Sequence, residues 1–273
     1  MSKNFDELLS VMTRLRAPGG CPWDREQTYE SLAPYLLEEA FESFDAIQEA
    51  AAGKTENLRE ELGDLLLQIV FHSQIAEELG DFTIEDVCAT ITRKMILRHP
   101  HVFGDRKLDT ADDVLKNWDE LKKEERKITG QSENPKTSIL EDVPVTFPAL
   151  IEANKLTGKA AKVGFDWENI EHIFDKLDEE VSELQNAISK NESANTEEEI
   201  GDLLFVVVNL ARRLNVEPET ALKKTNRKFR RRFKFIENEL KKTGKSLENS
   251  HLREMDALWN KAKTEDFPAE IMK

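Results

Sequence analysis

Carboxylates at helical spacing are the first residues in this sequence whose types could do chemistry. Glu39 and Glu42 stand three apart, as do Glu61 and Asp64, and the spacing returns in Glu180 with Glu183 and Glu199 with Asp202. Positions i and i+3 of a helix share a face, so each pair projects together. Like charges so placed repel by roughly 0.2–0.5 kcal/mol per exposed pair. Two pairs facing one another across neighbouring helices call for a cation between them. Oxygen donors of this kind suit Mg²⁺, which takes few carboxylates and completes its shell with water and substrate phosphates. With 54 Asp and Glu in 273 residues, one EExxE alone reads as a solvated helix face. The recurrence of the paired arrangement is the signal.

A second group offers the opposite charge. Residues 223–234 contain eight Lys or Arg among twelve, with Lys228 and Arg232 one turn apart on a helix face. Such a run also fits a nucleic-acid interface or a solvated face balancing acidic neighbours. The net charge of −15, from 39 basic against 54 acidic residues, argues against a nucleic-acid polymer, because neutralising phosphates requires a positive surface. A di-iron bundle needs two ExxH motifs, and only Glu248-Asn249-Ser250-His251 supplies one. His99 and His101 flank Pro100 and read as a helix-ending turn. Trp23 and Trp167 read as core or lid aromatics.

The elements that must position these groups read as helices. Glu, Lys, Leu and Ala dominate, while Gly (11) and Pro (9) are few, and those common residues are good helix formers. Phe5, Leu8, Leu9, Met12 and Leu15 form one apolar stripe. Leu36, Phe41, Phe44 and Ile47 form a second, and Phe229, Phe233, Ile236 and Leu240 a third. The apolar runs at 65–71 and 203–210 read as packed helices. Gly63 and Gly201, inside those helices, cost about 1 kcal/mol relative to Ala, which suggests a closely approaching helix or ligand, or a kink. Thr196 with Glu199 also matches a capping box, which would compete with metal binding by Glu199.

The sequence repeats itself. Glu39 recurs as Glu180 and Trp118 as Trp259 at an offset of 141; Glu61 and Asp64 recur as Glu199 and Asp202 at 138; Lys94 and Arg98 recur as Lys228 and Arg232 at 134. A shorter turn in the second copy accounts for the first change of offset. The expected organisation is an N-terminal helical domain over 1–126, a polar linker over 127–145 and a C-terminal helical domain over 146–273. Pro100 should end the first copy's basic helix, whereas the second copy's continues. Two cysteines, Cys21 and Cys88, do not make a disulfide framework. No apolar stretch approaches the roughly 20 residues that span a bilayer. A cytoplasmic protein with no membrane partner is expected.

Taken together, the residues resemble the two-repeat form of the MazG family of nucleoside triphosphate pyrophosphohydrolases. The match begins with Cys21-Pro22-Trp23-Asp24 and Pro34-Tyr35-Leu36-Leu37-Glu38-Glu39. It continues through Arg98-His99-Pro100-His101-Val102-Phe103 and Val163-Gly164-Phe165-Asp166-Trp167 to Asn226-Arg227-Lys228-Phe229 and Arg232-Phe233. The resemblance implies an all-α fold of two tandem helical bundles, a homodimer, and Mg²⁺-dependent hydrolysis of nucleoside triphosphates to monophosphate and pyrophosphate in nucleotide-pool control. By motif, Glu180, Glu183, Glu199 and Asp202 resemble metal ligands, with Glu39, Glu42, Glu61 and Asp64 as a candidate set in the N-terminal copy. Lys176, Glu179, Asn226, Lys228, Arg232 and Trp259 resemble nucleotide-binding residues. Of these, Lys228 and Arg232 would meet the triphosphate, and Glu179 or Glu180 would take a proton from water. Asn195 departs from the pattern, because related chains can carry Lys there. The C-terminal copy is the expected catalytic one. The competing expectations are a non-enzymatic helical scaffold and a nucleic-acid-binding helical protein.

Overall fold

A computed structural model describes residues 3–51, 53–130 and 138–265. Among them the chain forms twelve helices and no strand, so the all-α expectation holds. The chain divides into two compact units, Met1–Glu133 and Asn134–Lys273. Residues 131–137 of the segment read as a linker, 127–145, lie outside the described residues.

Unit 1 begins with α1 (Lys3–Arg16), the short α2 (Pro22–Glu26) and the long pair α3 (Tyr29–Ala50) and α4 (Leu58–Leu79). It continues with α5 (Ile84–Arg98), α6 (Pro100–Phe103) and α7 (Ala111–Ile128). The hydroxyls of Thr28, Thr83 and Thr110 cap α3, α5 and α7, each accepting from the backbone N–H three residues on. Such caps satisfy N–H groups that a helix leaves without partners. Pro100 ends α5 as its sequence requires, and α6 restarts at the proline. The core gathers Met12, Leu32, Val70, Phe71 and Ile75, with Phe5, Leu8 and Leu9 packed against it. The first apolar stripe is therefore a core face.

The second stripe lies differently. Phe41 and Ile47 are exposed, and the buried face of α3 carries Leu32, Ser43 and Ala46. That face has the helical spacing of the half-buried Glu39, so the inward stripe of α3 is partly polar. Ser43 donates to the Glu61 carbonyl at 3.0 Å, fixing α3 against α4 where the carboxylates lie.

Unit 2 contains α8 (Ala149–Ala161), α9 (Glu171–Ser189), α10 (Ser193–Arg213), α11 (Pro218–Lys242) and α12 (Leu252–Glu265). The α9–α10 turn is residues 190–192, against 51–57 between α3 and α4, so the second turn is shorter, as the offsets require. Asn191 closes it at φ 56°, a left-handed conformation that asparagine tolerates. Asp166 is bound by both Arg212 and Arg213, which ties the loop before α9 to the end of α10. Burial pushes the Asp166 carboxyl up, but hydrogen bonds from Arg212 and the Trp167 N–H, with the two arginine charges, hold it below its ordinary value.

The structure narrows two expectations about helix interiors. Apart from the helix's own neighbouring backbone, no atom lies within 4 Å of a Cβ placed on Gly63 or Gly201, so within each unit no neighbouring helix approaches either glycine. The run on α10 is not wholly interior: Val206 and Val208 are buried, while Leu204, Phe205 and Val207 are exposed. Among the described residues no helix is long and apolar enough to cross a membrane.

Candidate metal centre

In unit 2 the paired helices α9 and α10 bring Glu180, Glu199 and Asp202 together. Each offers one carboxylate oxygen, and these oxygens all lie within 4.8 Å of one another. Glu180 is 4% exposed, Glu199 half-buried and Asp202 exposed, so the group opens from the interior toward solvent. Burial raises the Glu199 carboxyl above its ordinary value, and the charges of Glu183, Glu180, Asp202 and Glu198 raise it further. Glu183 thus contributes to the field without belonging to the three-oxygen group. The donor set is all oxygen and triply acidic with one nearly buried member, which fits a hard cation such as Mg²⁺. The fourth expected ligand, Glu183, is not among the converging oxygens.

Lys176 lies one turn before Glu180. Its ammonium is 2.8 Å from Glu179 and 2.8 Å from Glu180, and hydrogen bonds to these two carboxylates hold it protonated well above its ordinary value. The three residues therefore form one cluster at the edge of the acidic group. The capping box expected at Thr196 is absent. The helix begins at Ser193, and the Thr196 hydroxyl donates to the Glu192 carbonyl at 2.9 Å. Asn195 donates to Glu192 at 3.3 Å. Glu199 is not used as a cap.

The basic helix α11 contributes a second cluster. The Arg232 guanidinium carbon lies 5.5 Å from the centre of the Trp259 ring, within cation–π range. Phe229 lies 5.2 Å from Trp259 and stacks on Phe233 at 6.0 Å. Phe229, Phe233, Ile236, Leu252, Met255, Asp256 and Trp259 line a groove of about 310 Å³. Arg232 is 9% exposed, whereas Asn226 and Lys228 stand exposed on the same helix.

Unit 1 repeats the acidic arrangement. Oxygens of Glu39, Glu61 and Asp64, all half-buried, lie within 4.8 Å of one another. Burial raises the Glu39 carboxyl, and Asp64, Glu42, Glu61 and Glu38 add to the rise. Glu42 is near this group without joining it, as Glu183 is in unit 2. Asn57 donates to Glu61 at 2.9 Å.

A MazG nucleotide pyrophosphohydrolase domain is matched twice, at residues 27–103 and 168–236. Each match spans a pair of carboxylate-bearing helices. The chain belongs to the MazG family. It is 47% identical over 262 residues, 96% of each chain, to the nucleoside triphosphate pyrophosphohydrolase/pyrophosphatase MazG of Thermotoga maritima. It is 43% identical over 266 residues, 96% of this chain and 98% of the other, to the nucleoside triphosphate pyrophosphohydrolase of Escherichia coli K12. It is also 47% identical over 260 residues to the uncharacterized protein YabN of Bacillus subtilis, covering 95% of this chain and 51% of that protein.

The MazG repeats differ in side chains that sequence reasoning missed. Arg98, the counterpart of Arg232, is paired with Glu125 on α7 at 3.0 Å. Arg16 holds Glu78 at 2.7 Å and also donates to the Asp24 and Gln27 carbonyls. These partners are 8 to 62 residues apart, and no short motif marks them. The one ExxH motif, 248–251, lies outside any helix, so it cannot present a di-iron helix face. Trp23 is 50% exposed and meets Tyr35 edge-on at 6.0 Å, so it is not a core residue. His99 caps the end of α5 and lies 2.6 Å from the Met95 carbonyl, in the turn expected for it.

Proposed function

We propose that this hydrolase of the MazG family converts nucleoside triphosphates to monophosphate and pyrophosphate with Mg²⁺ at unit 2. The supporting observation is the convergence of Glu180, Glu199 and Asp202 oxygens within 4.8 Å. These three carboxylates would hold the ion, with Glu183 adding negative potential beside them. Bound there, Mg²⁺ supplies Lewis-acid polarisation of a phosphoryl oxygen and lowers the pKa of a coordinated water.

The remaining roles belong to the side chains. Glu179 lies outside the three-oxygen group and is exposed, so it is the carboxylate left to take a proton from the attacking water. Lys176 holds Glu179 and Glu180 in place and presents a positive charge at the edge of the site. Lys228 and Arg232 share a face of α11 and neutralise charge on the departing pyrophosphate. Trp259, backed by Phe229, offers a ring against the nucleotide, with Asn226 a polar contact on the same basic helix. Exposed Leu204, Phe205 and Val207 on α10 support a homodimer. The cellular setting proposed is nucleotide-pool control in the cytoplasm.

Pyrophosphate release from a panel of canonical and modified nucleoside triphosphates, with Mg²⁺ and with EDTA, tests the reading. Release should require Mg²⁺ and disappear in Glu180→Ala and Asp202→Ala, both retaining the helical circular dichroism of the parent. Undiminished turnover in both variants would overturn it, unless further substitution in unit 1 removes that turnover.

A further inference from the structure

We propose that Asp256 reads the base of the nucleotide in unit 2 and favours guanine. The inference rests on the proposed placing of the nucleotide beside Trp259. The groove that Trp259 helps to line measures about 310 Å³, at the small end of ligand sites, which suits a base better than a whole nucleotide. Six of its seven lining side chains are apolar, and Asp256 is the seventh. An apolar site with one polar group takes its orientation and selectivity from that group. The Arg232 guanidinium carbon lies 5.5 Å from the centre of the Trp259 ring, so the groove adjoins a cation assigned to the triphosphate.

Asp256 is out of character for its helix. Leu252, Met255, Asp256 and Trp259 stand at i, i+3, i+4 and i+7 of α12, the spacing of one helix face. The stripe calls for an apolar residue at the third of these, and unit 1 has one. Leu115 precedes Trp118 by three, as Asp256 precedes Trp259. Asp256 is exposed and among the described residues has no hydrogen bond or ion pair, so its oxygens are open to a ligand.

An ionised carboxylate only accepts hydrogen bonds. It therefore suits a base edge that carries two donors side by side. Guanine has that edge in its N1–H and exocyclic amino group, and meets a carboxylate through two parallel N–H···O bonds, the arrangement that makes charge-assisted pairs strong. Adenine and cytosine set a ring-nitrogen acceptor beside their amino group, and uracil sets a carbonyl oxygen on each side of its N–H. Hypoxanthine keeps the N1–H of guanine without the amino group, and xanthine has a carbonyl oxygen in the amino group's place.

The test compares kcat/KM for Mg²⁺-dependent pyrophosphate release from the triphosphates of guanosine, inosine and xanthosine, using the full chain. Ratios between substrates do not depend on how much of a variant folds. The parent should favour guanosine triphosphate by about tenfold over each of the others, the scale of one charge-assisted hydrogen bond at an exposed carboxylate. Asp256→Leu, which installs the unit 1 side chain, should bring the guanosine-to-inosine ratio within about threefold of unity. Asp256→Asn presents one acceptor and one donor, which match xanthine, and should lower the guanosine-to-xanthosine ratio by about tenfold or more. Turnover without the parental preference overturns the proposal and leaves the reading of unit 2 standing, as does a guanosine-to-inosine preference that survives in Asp256→Leu or a guanosine-to-xanthosine ratio unmoved in Asp256→Asn. Absence of turnover with every triphosphate overturns the reading of unit 2 and the proposal with it.

Discussion

Unit 1 and unit 2 pair their carboxylate helices alike and diverge in the helices that follow. In both, three acidic oxygens converge within 4.8 Å, and one member is pushed toward its neutral form by burial and its neighbours. In unit 2 a lysine stands against the acids and an arginine lies over a tryptophan. At the position of Lys176, unit 1 has Tyr35, and its arginine is closed by Glu125. The acidic groups of the two units are thus alike, while the basic residues placed around them differ.

The largest expected effect separates the two acidic groups. Asp202→Ala should lower Mg²⁺-dependent pyrophosphate release by about a hundredfold or more, the scale of losing one preorganised electrostatic contact. Asp64→Ala should leave the rate within about threefold. Equal losses in the two initial rates would mean that both units turn over.

Next is the clamp special to unit 2. Asp166→Ala leaves Arg212 and Arg213 without their shared carboxylate and should cost about 1–3 kcal/mol, read from urea denaturation. The folded pKa of Asp166 lies below its unfolded value. Its contribution is therefore complete above the ordinary carboxylate range and is lost as pH falls through the depressed value. The variant should show a flatter loss of stability in acid, and an unchanged acid limb would remove this distinction between the units.

Gly63→Ala and Gly201→Ala sharpen the comparison in the other direction. Both glycines are helical with open space where a Cβ would stand, so each substitution should stabilise by about 0.5–1 kcal/mol. Activity lost in Gly201→Ala alone, with stability gained, would place a ligand or a second copy against α10. The smallest effect concerns crowded charge. Glu199 titrates above its unfolded value, so its ionised form opposes folding at neutral pH. That opposition fades as pH falls through the raised value and is gone at the ordinary one. In EDTA, Asp202→Asn should raise Tm by about 1–2 °C. A lower Tm would show that Asp202 has a structural partner.

The helices, the repeat and the acidic residues were readable because each depends on periodicity or local spacing. Pro100 ended α5 for a reason contained in its own ring. Thr196 misled because α10 begins at Ser193, earlier than the counterpart of α4 would begin, and a cap depends on where the helix starts. The stripe through Phe41 and Ile47 misled because α3 turns Ser43 inward to bond the Glu61 carbonyl, so its buried face is not its most apolar one. Glu125 could not be found at all. Its pairing with Arg98 spans 27 residues and depends on how α5 packs on α7.

The proline after Arg98 has a consequence in length. The helix that follows the carboxylate pair runs 15 residues in unit 1 and 25 in unit 2. At about 1.5 Å per residue, unit 2 carries its cations on a rod about 15 Å longer. One imino acid thus acts as a ruler. The added length lies beyond Arg232, which is the fifteenth residue of its helix as Arg98 is of its own, while the carboxylate pair, built from earlier sequence, stays whole in both units. The two halves of such a molecule can then drift apart in task without either having to unfold.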